Sequence, residues 1–291
     1  MSTAPVEHSH PGSWRVRIKH HTALAYESPV AASYNEARLT PSALNGQLVI
    51  TSRIDVKPTT RLDSYVDYWG TVVHVFDVQT SHTELSVTST SLVDTVPRGG
   101  VGADIDWAAL AAPTVIDRWC EYLGPSGPVT IGPDLTDAIA EVRASPNPSA
   151  GVQVALDILT ARLAYKPGAT DVSSTDTEAW ALREGVCQDY SHLAIALLRG
   201  CGIPARYASG YLHPGAGDIG ATVVGESHAW IEAWLGGWKA YDPTNRRPVG
   251  ERHVLVGLGR DYTDVPPLKG IFSGGPSSHQ DVTVELTRLT R

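Results

Sequence analysis

The sequence predicts an α+β protein: an antiparallel β unit first, then helices, then a second antiparallel sheet packed on the last helix. Three observations predict it. Period-two and β-branched runs at 14–19, 47–57, 71–79 and 84–93 fill the first third of the chain. Helical spacing dominates from 107 to 198. Strand-like segments at 205–211, 228–235 and 238–242 then follow with no helix between them, which excludes a βαβ order.

The elements follow in chain order. Residues 1–13 are polar and contain Pro5, Pro11 and Gly12, so a mobile tail is expected. Trp14, Val16 and Ile18 alternate with Arg15, Arg17 and Lys19, as on a half-buried strand. With Asn45-Gly46, Asp67 and Gly70 as turn residues, 14–96 is expected to be a sandwich-like antiparallel domain. Pro97-Arg98-Gly99-Gly100 reads as a boundary, and 97–150 as a helical connecting region. Helices are expected over Trp107 to Leu123, over Leu135 to Arg143, and up to Leu163 from an N-cap at Ser149. A second core is expected to span 151–291.

The segment 187–200 carries Tyr190, Leu193, Ala194, Leu197 and Leu198 at i, i+3, i+4, i+7 and i+8, a buried helical stripe. Gly200 and Gly202 stop this helix, and Pro204 prevents its resumption. His228 is expected to open a strand, with Gly236-Gly237 as the turn to its hairpin partner. A two-residue turn would leave Asp242 about three residues from the position opposite His228, so a bulge or longer loop is expected.

Composition narrows the function. Charged residues make up 19% of the chain and hydrophobic residues 42%, the balance of a soluble globular protein. The formal net charge of −8 argues against nucleic acid as the main partner. No run approaches ~20 apolar residues, so no membrane partner is expected. The N-terminus lacks a charged region followed by an apolar stretch, so no secretory signal is expected. Cys120, Cys187 and Cys201 show no C-x-x-C spacing, which suits free thiols in a cytoplasmic protein. His8 with His10, and His20-His21, lack a third ligand at metal spacing, so neither metal nor cofactor is expected.

Chemistry concentrates in three segments. Cys187 sits at a helix start, where about half a positive charge favours a thiolate; Asp189 in the same turn opposes it. His228 stands on a strand, and Asp242 ends its hairpin partner fourteen residues later. A thiol, an imidazole and a carboxylate in these places are the parts of a nucleophilic triad for acyl transfer. Alone, each has a plain structural reading, and Cys120, Cys201 and His192 are given that reading. The Cys187 N–H is one oxyanion donor; Trp180, Gln188 and Tyr165 are weak candidates for a second.

Gly185-Val186-Cys187-Gln188-Asp189-Tyr190-Ser191-His192-Leu193, Ser227-His228-Ala229-Trp230 and Asp242-Pro243-Thr244-Asn245 resemble the Cys, His and Asp segments of the transglutaminase-like superfamily. Gly202-Ile203-Pro204-Ala205-Arg206-Tyr207 and Gly259-Arg260-Asp261-Tyr262-Thr263-Asp264-Val265-Pro266-Pro267 resemble its bacterial branch with an N-terminal β domain. So do Ser28-Pro29-Val30 and Asp67-Tyr68-Trp69-Gly70-Thr71. The resemblance spans 14–290, with a slightly short hairpin and Thr71 where Asn is usual. It implies a papain-like core and a Cys-His-Asp mechanism. Members include protein cross-linkers, cysteine peptidases and peptide N-glycanases. The expectation is therefore a cysteine peptidase or amidohydrolase on a protein or peptide-like substrate. Transfer to an amine, as in a protein-glutamine gamma-glutamyltransferase, is the alternative. A non-catalytic interaction module is the second alternative. Loops 213–226 and 261–280 are expected to wall the site.

Overall fold

The computed structural model describes residues 12–96, 105–215, 218–275 and 277–290. Residues 1–11 of the expected tail at 1–13 and the boundary at 97–100 lie outside these residues, and Ser13 at the end of that tail is buried.

The first region forms β1 (Trp14–Val30), β2 (Ala32–Ala37), β3 (Leu48–Lys57), β4 (Asp63–Val66), β5 (Val72–Val78) and β6 (His82–Thr95). The alternation read at Trp14–Lys19 continues inward through His20 and Thr22, which are buried although polar. His20 meets the Tyr211 hydroxyl at 3.1 Å and Thr22 Oγ1 at 3.0 Å, so its burial leaves neither ring nitrogen bare. β1 pairs with β6 in antiparallel register. β2 and β5 lie in a second sheet. Tyr26, Val30, Leu39, Phe76, Leu85 and Val87 fill the layer between the two sheets. The region is thus a two-layer sandwich, as its period-two runs require.

Helices α1 (Trp107–Leu110), α2 (Pro113–Trp119), α3 (Thr136–Arg143) and α4 (Pro148–Arg162) follow. The continuous helix expected from Trp107 to Leu123 is broken. Pro113 has no N–H to donate and forces Ala112 into extended backbone at ψ 135°. The cap of α4 is Asn147 rather than Ser149: its side chain accepts the Ala150 N–H at 2.8 Å, and Pro148 takes the first helical position. Leu110, Leu135, Val142, Val152 and Leu159 belong to the same core cluster as Leu193 to Leu198. The expected connecting region is therefore part of the same helical layer as 193–198 from 105 onward, and no boundary falls at 150.

Next come β7 (Ala164–Tyr165), α5 (Asp176–Leu182), β8 (Glu184–Gly185) and α6 (Cys187–Gly200). The sheet beneath α6 contains β9 (Ala205–Leu212), β10 (Thr222–Trp234), β11 (Trp238–Asp242), β12 (Arg247–Pro248) and β13 (His253–Gly259). Its centre is unusually close-packed. A Cβ on Gly210 would lie 2.0 Å from the Val254 carbonyl oxygen and 2.7 Å from the Trp230 ring, so only glycine lets β9, β13 and Trp230 meet there.

The chain then returns to the sandwich through β14 (Leu268–Ser273) and β15 (Ser277–Arg288). β14 pairs with β2, and β15 pairs with β1 along most of its length. The core expected to run to 291 is thus wrong at its end: residues 268–288 complete the two sheets of the N-terminal unit. β15 also pairs with Thr222–Gly225 of β10, joining both halves in one curled nine-stranded sheet. Among the described residues no helix is long and apolar enough to cross a membrane.

Candidate active site

Cys187 is the first residue of α6. The turn that places it is built by Asp189, whose Oδ2 accepts the Val186 N–H at 2.7 Å and the Thr170 hydroxyl at 2.7 Å. Gly185 is required because a Cβ there would stand 2.7 Å from the Asp189 side chain. Burial pushes the Asp189 carboxyl above its ordinary range, against those two hydrogen bonds. Asp189 thus supplies one half of a capping box, the other half being missing because Val186 has no side-chain acceptor, and it is not a free charge facing the thiol.

His228 comes from the middle of β10, not its start: the strand begins at Thr222. Of the expected bulge or longer loop, the hairpin has the loop. Trp234 pairs with Trp238 across a three-residue connection, and the register reaches Ile231 opposite Tyr241. One step further sets Trp230 across from Asp242, with His228 as the diagonal neighbour on the same face. His228 Nε2 lies 2.8 Å from Asp242 Oδ2. Cys187 is close enough to the same imidazole to help raise it, and with Nε2 given to Asp242 the ring nitrogen left for the thiol is Nδ1.

Asp242 is held from all sides. Its Oδ2 accepts Asn245 Nδ2 at 2.9 Å and lies 3.2 Å from His253 Nε2. Its Oδ1 accepts the Thr244 and Asn245 N–H groups, each at 3.1 Å. Burial alone would raise this carboxyl, but the hydrogen bonds from His228 and His253 outweigh it and hold it well below the usual carboxylate range. For His228, burial alone would lower the ring. The hydrogen bond with Asp242 and the charges of Asp242 and Cys187 prevail, and push it up to about 9.

The structure therefore brings Cys187, His228 and Asp242 together. Tyr165 joins them: it lines the cleft, and burial followed by the nearby Cys187 and Glu226 pushes its hydroxyl up to about 12. Gln188 and Trp180 do not join. Gln188 Nε2 donates to the Val172 carbonyl at 3.2 Å, and Trp180 is buried in the helical core beneath Arg162. His192 points away, as expected, with Nε2 accepting the Tyr262 N–H at 3.2 Å.

Sequence reasoning missed His253 and gave Asn245 no role. His253 Nδ1 accepts the Gly250 N–H at 3.3 Å, which leaves the ring proton on Nε2, facing Asp242. The available signal was a histidine opening an otherwise apolar strand; every residue of β13 is buried. The three site groups His228, Asp242 and His253 offer ligand atoms within 4.8 Å of one another. Nε2 of each ring is already engaged by the carboxylate, which reads as a hydrogen-bonded set rather than a vacant metal cage.

Beside these groups lies a cleft of about 610 Å³, lined by Tyr165, Glu226, His228, Asn245, Arg247 and Arg252 among others. Of the expected walls, Pro214 and 224–226 line it, but 261–280 does not. That stretch contains β14, which is paired into the sandwich.

Residues 16–94 match the bacterial transglutaminase-like N-terminal region, and 136–243 match the transglutaminase-like superfamily. An uncharacterized protein of Mycobacterium leprae is 47% identical over 277 residues, covering 95% of this chain and 99% of the relative. A protein-glutamine gamma-glutamyltransferase of Pseudomonas aeruginosa is 34% identical over 117 residues, 36% of this chain and 17% of that one. A crystal structure from Cytophaga hutchinsonii, named as a candidate cysteine protease, superposes with a TM-score of 0.74 at 22% identity, covering 96% of this chain and 93% of that one. That likeness shows the fold. With matches in both halves and a full-length relative, the chain belongs to the transglutaminase-like superfamily.

Proposed function

We propose that the protein is a thiol enzyme that opens amide bonds in a protein or peptide-like substrate through a thioester on Cys187, with water as the usual acceptor. The observation that carries this reading is the convergence of Cys187, at the start of a buried helix, on a His228 ring hydrogen-bonded to Asp242, beside a cleft that His228 and Asp242 line.

Cys187 Sγ adds to the carbonyl carbon and the oxygen takes the negative charge, near the Cys187 N–H at the helix start. The charge returns, the C–N bond breaks, and the leaving nitrogen takes its proton from His228 Nδ1. Water then attacks the thioester and gives its proton to His228. The C–S bond breaks, releasing a carboxylic acid and the thiolate. Asp242 holds the imidazole by Nε2 throughout, and His253 and Asn245 hold Asp242. Neither metal nor cofactor enters these steps. Three free thiols support a reducing compartment, and we place the enzyme in the cytoplasm.

A second reading, transfer of the acyl group to an amine, is favoured by the Pseudomonas relative and needs no different residues. Acceptor partition separates the two. A peptide pool is incubated with the protein in ¹⁸O-water, with and without a primary amine. New carboxyl groups carrying ¹⁸O are expected, and their formation should fall by at least ~10²-fold in His228→Ala. Amine adducts alone would establish the second reading. Neither product from a folded protein, across a broad peptide pool, would contradict both.

A further inference from the structure

The cleft beside Cys187 is charged unevenly. Glu226 lies on the side of Tyr165 and Cys187, where it contributes to the rise of the Tyr165 hydroxyl. Arg247 and Arg252 line the same cleft from β12 and from the turn that leads into β13. Arg247 is exposed and pairs across β12 with Asp242, so its backbone is fixed directly beside the site.

Arg252 is held rather than loose. Its Nε donates to the His213 carbonyl at 3.0 Å, and its Nη2 donates to the Pro214 carbonyl. The guanidinium lies so close to Gly215 that a Cβ there would fall 2.5 Å from Cζ. Its acceptors are carbonyls; Glu251 acts on it through charge alone, and among the described residues no hydrogen bond or ion pair to a carboxylate is formed by Arg252 or Arg247. The two cations are near enough to repel, since Arg247 adds to the lowering that burial imposes on Arg252. The neighbouring Arg246 differs: its guanidinium is paired with Asp157. Asp242 does not serve as counter-ion, because His228, His253 and Asn245 occupy it. A chain of formal net charge −8 thus keeps two arginines without a hydrogen-bonded carboxylate, among the described residues, in a cleft that His228 and Asp242 line.

We propose that Arg247 and Arg252 form an anion subsite, and that the acyl donor carries a carboxylate close to its scissile amide. This rests on the thiol-enzyme reading above and narrows its substrate class. A fixed guanidinium offers its remaining N–H groups as a planar fork, the geometry that suits a carboxylate. The carboxylate has two possible sources: an acidic side chain on the acyl part, or the free end of a short leaving group.

The test uses the full chain and two matched pairs of peptidyl vinyl sulfones, which add to a thiol without a leaving group. One pair differs by Glu or Gln next to the electrophile. The other carries a carboxylate or a carboxamide on the far side of the sulfone. The rate of adduct formation at Cys187 is read by mass spectrometry at low salt. In at least one pair the acid should react roughly tenfold or more faster. The pair that discriminates names the source. Arg247→Glu should collapse or invert that ratio, and added salt should shrink it. Arg252→Gln should lower it too. Because Arg252→Gln also frees the 213–215 turn, the exposed Arg247→Glu change is the cleaner arm. Equal rates in both pairs, or an acid preference that survives Arg247→Glu together with Arg252→Gln, would overturn the subsite while leaving the thiol enzyme intact. Failure of every probe to modify Cys187 would overturn the underlying reading, and the subsite with it.

Discussion

Asp242 Oδ2 gathers His228, His253 and Asn245 around one oxygen, and this arrangement decides the charge of the pair. A carboxylate so well supplied with donors stays ionised despite burial, and an ionised carboxylate keeps His228 protonated. The consequence for stability has a definite sign. The native ring is raised from 6.5 to about 9, so it binds its proton more tightly than the unfolded chain does. That contribution is complete below about pH 6.5 and is lost as pH rises through about 9. The stability advantage of wild type over His228→Gln should therefore be larger at pH 6 than at pH 9.5, measured as the difference in melting temperature. An equal difference at both would show that the native ring is not raised. The three residues of the predicted triad were legible because each stood in a segment with its own structural logic: a helix start, a strand and a strand end. His253 was not, because one histidine at the head of an apolar strand is ordinarily a satisfied core residue.

The helix α6 shows what periodicity reaches and what it does not. The stripe from Tyr190 to Leu198 is buried as expected, but so are Ser191, His192 and Arg199 on its other faces. The helix is enclosed by α3, α4, α5 and the sheet. Arg199 makes this tolerable: Nε donates to Ala205 O, Nη1 to Gly124 O and Ser126 Oγ, and Nη2 to Arg260 O. A polar residue satisfied by distant carbonyls leaves no trace in a local pattern. Arg199→Ala would strand those acceptors and should cost about 3 kcal/mol, roughly 6–12 °C in melting temperature. Arg199→Lys should recover only part of the loss, since one ammonium cannot reach acceptors set around a planar fork. An unchanged melting temperature in Arg199→Ala would contradict this. Elsewhere, the longer alternating strands were legible, whereas β4 was not, because all of its residues are exposed and it has no apolar face. α5 carried a readable signal that went unused: Thr175 and Glu178 form a capping box.

At the scale of the whole molecule, the division into a β unit and a separate core is the reading the structure revises most. The antiparallel α+β class was legible from the periods of successive segments. The partner of a strand is not a local property, so nothing near 277–288 announced that it would lie between β1 and β10. The aromatic residues bind the same regions: Trp119 meets Trp238 at 5.0 Å and Trp234 at 5.9 Å, and Tyr122 meets Trp69 at 5.6 Å. Removing 277–291 should leave edges of β1 and β10 unpaired and uncover the cluster around Val16, Ile18, Val254 and Val256. Aggregation or a much lower melting temperature is expected. A soluble truncated chain that melts like wild type would show that the two halves are independent.

All of this geometry converges on one thiol, and selective alkylation reads it in the intact protein. Cys120 is exposed, Cys187 is half-buried and Cys201 is buried, so accessibility alone ranks Cys120 first. Activation by the helix start and His228 reverses that order. Iodoacetamide near neutral pH should modify Cys187 about tenfold or more faster than Cys120, and His228→Ala should abolish the advantage. Faster modification of Cys120 in the folded wild-type protein, or a Cys187 rate indifferent to His228→Ala, would contradict the assignment of Cys187 as the nucleophile.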